Sequence, residues 1–104
     1  MAQFDVYRNP GRTKAAIPFV LAVQSDRWDE RPDRVVVPLV LASEVSYRDR
    51  TLNPEFTVEG VTVLMNPLQM ATIPTRVLGP AVERLDSVAI AIIAALDALI
   101  VQGR

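Results

Sequence analysis

Phe56-Thr57-Val58-Glu59-Gly60-Val61-Thr62-Val63 is the stretch that decides the fold. Two short runs of β-branched and aromatic residues, alternating with threonine, flank a Glu-Gly pair. Alternation with period two puts one side of each run toward a core, and a two-residue break containing glycine closes a hairpin. Asn66-Pro67 ends the second arm. Working toward the N-terminus, Arg34 to Ala42 is β-branched and nearly all apolar, a strand in which Pro38 predicts a bulge or an edge position. Ile17 to Val23 reads as another strand, with Pro18 at its start, and Gln3 to Arg8 as a first one, closed by Asn9-Pro10-Gly11. In that first strand Phe4 and Val6 share one side, Asp5 and Tyr7 the other. Gln24 to Asp33 and Ser43 to Asn53 are polar loops, and the first holds the only tryptophan, Trp28.

Working toward the C-terminus, Met70 to Leu78 is extended and broken by Pro74, and Gly79-Pro80 interrupts the chain. Asp86-Ser87 then offers caps for a helix over Val88 to Val101. At 100° per residue Val88, Ile92, Ile93, Leu96, Leu99 and Ile100 form one broad arc that should pack on the sheet. Ala91, Ala94, Ala95 and Ala98 form a separate stripe facing solvent or another chain, with Asp97 at the edge. The expected architecture is β-rich α+β: a partly open antiparallel β-barrel or sheet with one C-terminal α-helix, in a single domain over 1–104.

Composition narrows the function. The chain has 104 residues, half of them hydrophobic, enough for one real core. Eleven Lys and Arg against twelve Asp and Glu give a net charge of −1, which argues against general nucleic-acid binding. Arg12, Lys14, Arg27, Arg31 and Arg34 are close enough in sequence to make a local basic patch. With no cysteine and no histidine, disulfides, thiolate nucleophiles, His bases and the usual zinc ligand sets are excluded, and no cofactor or metal is expected. Met1-Ala2-Gln3-Phe4-Asp5 has no basic segment followed by an apolar run, so a cytoplasmic protein is expected. Val88 to Val101 reaches only about 21 Å as a helix, short of a bilayer core, and contains Asp97.

Five stretches carry a family resemblance: Gln3-Phe4-Asp5-Val6-Tyr7, Val23-Gln24-Ser25-Asp26, Val36-Val37-Pro38-Leu39, Met70-Ala71-Thr72-Ile73-Pro74 and Val77-Leu78-Gly79. In this order, along nearly the whole chain, they resemble the CcdB-type toxins of toxin–antitoxin modules. The resemblance implies an SH3-like barrel with a C-terminal helix, a two-fold homodimer and no catalytic residue. It further implies binding to the DNA gyrase A subunit, which traps the enzyme on cleaved DNA, and neutralisation by a cognate antitoxin with a disordered binding segment.

Two departures from the family pattern bear on the target. Gyrase poisons of this family end in Trp-Gly-Ile, after an Asn and an aromatic on the last helix, whereas this chain ends Val101-Gln102-Gly103-Arg104. Matching the glycines puts Gln102 at the tryptophan and Arg104 at the isoleucine; an ungapped helix match puts Val101 at the tryptophan and Asp97 at the asparagine. The apolar pair that the family uses after Gln-Ser-Asp is Arg27-Trp28 here. The residues expected to bind target or antitoxin are therefore Arg27, Trp28, Asp97, Val101, Gln102, Gly103 and Arg104. Trp28 reads equally as a recognition anchor or as a lid folded on the sheet, and Asp97 as a solvated residue or a polar contact. Two other functions remain open. One is an altered family member that keeps the fold and poisons nothing. The other is an endoribonuclease like the MazF/Kid toxins, which share the barrel; Arg48, Asp49 and Arg50 would serve it, against the acidic composition.

Overall fold

Glu59 and Gly60 turn the hairpin with φ of 50° and 78°, the positive values that a tight two-residue β-turn requires. In the computed structural model, which describes residues 2–101, the hairpin joins β4 (Glu55–Val58) to β5 (Val61–Met65), with Val58 opposite Val61 and Phe56 opposite Val63. The other strands are β1 (Asp5–Arg8), β2 (Phe19–Ala22), β3 (Asp33–Leu41), β6 (Ala71–Pro74) and β7 (Glu83–Arg84). All pairings are antiparallel, in the order β4-β5-β3-β2-β1-β7, and β6 adds to β3. The sheet curls into a nearly closed barrel with one α-helix, α1 (Ala89–Ile100), as the patterning predicts.

β3 organises the sheet by changing partners along one edge. Its residues Asp33 to Val36 pair with β6, and Leu39 to Leu41 pair with β5. Pro38 sits at the changeover, its carbonyl accepting from Asn66 N at 3.0 Å. In a strand the N and O of one residue point to the same side, so the missing proline N–H falls at the gap between β6 and β5. Sequence reasoning expected a bulge or an edge here; the partner switch serves the same need inside the sheet.

The two faces of the sheet follow the alternation. Val6, Leu21, Val37, Leu39, Val63 and Met65 point to the main core, which Ile92 and Ala95 of α1 complete. Tyr7, Val20, Ala22 and Val36 form a smaller cluster on the other face, covered by Ile73 and Leu78. Phe4 takes φ 72°, uncommon for an aromatic residue. Its N–H donates to the Ala22 carbonyl at 2.7 Å and its carbonyl accepts from Leu85 N at 2.9 Å, so both backbone groups are held while the ring is buried. This bend starts β1 at Asp5, two residues after the expected Gln3.

The helix corrects the sequence reading in two ways. Asp86 and Ser87 do not cap it. They belong to a 3-10 turn, Asp86–Val88, and Val88 holds the N-cap position without a side-chain bond. Buried Leu85 anchors that turn, accepting from Val88 N at 3.1 Å. The packing face is also rotated. Ile92 and Ala95 are buried and Leu96 packs beside them, while Val88, Ile93 and Ile100 are exposed. Ala95 therefore faces the sheet rather than solvent, where a small side chain lets the helix backbone approach closely.

Candidate protein-binding surface

The β2–β3 connection is held by polar bonds rather than by a core. Ser25 opens a 3-10 turn over Asp26–Trp28, its Oγ accepting from Arg27 N at 3.2 Å. Asp26 Oδ1 accepts from Gln3 N at 2.7 Å and ties the turn to the N-terminal segment. The Trp28 carbonyl accepts from Gln24 Nε2 at 3.1 Å and from Arg31 N at 3.1 Å. At the far end the Pro32 carbonyl accepts from the backbone and hydroxyl of Thr75, at 2.9 and 2.7 Å. Residues Asp26 to Pro32 are all exposed.

Trp28 leaves 54% of its surface in solvent. The Arg27 guanidinium carbon stands 5.4 Å from its ring centroid, within cation–π range. The shallow depression beside the ring is lined by Gln24, Arg31, Asp33 and Val35. Beneath the loop lies Arg34, 5% exposed, donating to the Asp29, Arg31 and Asp33 carbonyls at 2.7 Å each.

The second half of the predicted surface is on α1. Asp97 is exposed there, and its carbonyl accepts from Val101 N at 2.8 Å at the helix end. Ile90, Ile93 and Ile100 lie along the same exposed side, Ile90 with 87% of its surface free. Gln102, Gly103 and Arg104 lie outside the described residues. The structure thus sets Arg27 and Trp28 on one element and Asp97 and Val101 on another, and no described helix residue lines the depression beside Trp28.

Sequence reasoning missed a groove of about 540 Å³ between the loop after β3 and the end of β5. Ile17, Val40, Tyr47, Leu52, Leu64 and Leu68 line it, with Glu44 and Asp49 on its rim. Only exposed Tyr47, in a run read as a solvated loop, signalled it. Elsewhere Arg84 pairs with the buried Asp5 carboxylate at 3.5 Å, and Arg48 with Glu55 at 2.7 Å. Burial first, then the nearby Asp5 carboxylate, raise the Tyr7 phenol above its ordinary value of 10.0. Among the described residues no group of three or more acidic side chains is placed to hold a metal ion. No helix among them is long and apolar enough to cross a membrane.

The described residues thus combine a curled antiparallel sheet, one C-terminal helix and large apolar side chains left exposed on both the Trp28 turn and the helix. The family model described as CcdB protein matches residues 3–103. The chain belongs to the CcdB family. Membership supports a toxin of a toxin–antitoxin system, from a family whose toxins are not enzymes. No match is found among curated proteins. The five stretches that carry the CcdB resemblance fall on structural landmarks: the start of β1, the end of β2 with the Trp28 turn, the middle of β3, β6, and the turn after it.

Proposed function

We propose that this CcdB-family chain acts in the bacterial cytoplasm as a homodimer that binds a type II topoisomerase through the DNA gyrase A subunit, traps it on cleaved DNA, and is neutralised by a cognate antitoxin. The observation that carries the reading is Trp28. A large aromatic, stacked with a cation and more than half exposed on a polar turn, is the side chain from which interface hot spots are commonly built. With Arg27 it forms the pair that directly follows Gln24-Ser25-Asp26, where the family places an apolar contact pair. Asp97, Val101, Gln102, Gly103 and Arg104 form the second part of the contact surface. Exposed Leu68, Val77, Ile90 and Ile100 supply apolar area that a second copy covers in the dimer. The antitoxin's disordered segment orders as it binds across the Trp28 turn and the helix end.

The altered tail sets the target range. Gln102 in place of a buried tryptophan loses apolar contact and strands an amide, each costing on the order of 1–3 kcal/mol. That is about a hundredfold or more in affinity, so enterobacterial gyrase is a poor target for this chain. Induction in a bacterium carrying the chain's own gyrase tests the reading. Growth arrest with double-strand breaks, relieved by the antitoxin, is the expected result. RNA decay in place of DNA breaks identifies a ribonuclease, and unimpaired growth a family member that poisons nothing; either overturns the proposal.

A further inference from the structure

Seven consecutive exposed residues, Asp26 to Pro32, carry Trp28, yet none of them is buried to hold the turn in place. A segment with so little burial is normally among the first to open. Among the described residues, the buried side chain that bonds to it is Arg34. Its Nη1 donates to the carbonyls of Arg31 and Asp33, and its Nη2 to that of Asp29, all at 2.7 Å. The Asp29 carboxylate approaches Nη2 at 3.6 Å. The Nε has no hydrogen-bond partner among the described residues. Burying a guanidinium with one donor unmatched is costly, and an apolar residue would serve the strand without that cost. The recovered energy lies in short, charge-assisted bonds to backbone carbonyls at the end of the turn and at its junction with β3.

We propose that Arg34 is the positioning residue that holds the Arg27–Trp28 turn in its binding-ready form. The proposal rests on the reading of Trp28 as part of the contact surface. A partner that meets a turn already ordered does not have to order it, and keeps that share of its binding energy. Arginine is required because its planar fork reaches three carbonyls together. A lysine ammonium keeps the charge but not that geometry.

Trp28 is the only tryptophan, so its fluorescence anisotropy decay reports the turn alone. In Arg34→Lys the fast local component of the decay grows several-fold while thermal unfolding stays cooperative. The affinity for the antitoxin encoded beside this chain's gene falls about tenfold. Trp28→Ala also weakens that complex, and Arg34→Lys adds nothing in the Trp28→Ala background, because no indole remains to be positioned. An unchanged anisotropy decay in Arg34→Lys, or fully additive losses, overturns the proposal. If the indole is released but Trp28→Ala leaves affinity intact, the clamp is supported and the contact-surface reading fails instead. Should Arg34→Lys not fold, hydrogen exchange in the unaltered protein decides. The Trp28, Asp29 and Arg31 amides, which donate to the Ser25, Asp26 and Trp28 carbonyls, are then protected if the clamp holds. Exchange at the rate of unstructured chain overturns it.

Discussion

Replacing Ile92 with alanine tests the rotated helix face against its neighbour Ile93. Ile92 is 0% exposed, inside the main core among the inward residues of the sheet, whereas Ile93 is 55% exposed. Truncation to alanine removes three carbons, about 0.8 kcal/mol each in transfer energy. The cavity left in a closely packed core raises the Ile92→Ala loss to about 3–4 kcal/mol. For a domain of this size that is roughly 15–25 °C in melting temperature. Ile93→Ala changes stability by less than about 0.5 kcal/mol, since alanine is also the better helix former. Urea unfolding of both variants, at two protein concentrations, makes the comparison and separates helix packing from any loss of self-association. Equal losses, or a larger loss for Ile93→Ala that is independent of concentration, would refute the packing described here.

Three further outcomes are expected. Tyr7 has its folded pKa raised above the unfolded value of 10.0. Its contribution is therefore fully present below that value and lost as pH rises through the folded pKa. Unfolding free energy measured against pH falls at the alkaline end, and Tyr7→Phe removes that part of the slope; an identical slope in the variant contradicts the assignment. Light scattering at tens of micromolar (roughly the range in which weak symmetric dimers persist) gives twice the chain mass; a monomer there counts against the dimer. Gln102→Trp with Arg104→Ile recovers part of the inhibition of enterobacterial gyrase, read by supercoiling, whereas potent inhibition by the unaltered chain refutes the role given to the tail.

The strands were legible because alternation directly encodes a two-sided sheet. Glu59-Gly60 located the hairpin, and Val6 and Tyr7 separated the two faces. What the sequence hid depends on distance in space. β7 is two residues long and exists because Asp5 and Val6 pair with Arg84 and Glu83, so no local pattern marks it. The helix face was misassigned because nearly every position is apolar, and such a helix has no strong polar side to orient it. Only the approach of the sheet selects Ala95 over Ile93. For the proposed binding surface, the exposure of Trp28 was legible as an aromatic in a polar loop. Arg34 passed as one cation of a basic cluster, since its burial follows from the fold of the turn above it.

The proposed toxicity, by stoichiometric capture of a topoisomerase rather than by catalysis, can be measured by titrating the purified chain into gyrase from its own host with supercoiled DNA and ATP. Linear DNA trapped after denaturation should rise in proportion to added toxin, level off at equivalence with the gyrase A subunit, and vanish when antitoxin is added first. Failure to trap any cleaved DNA, or turnover of a nucleic-acid substrate by toxin far below equivalence, would contradict it.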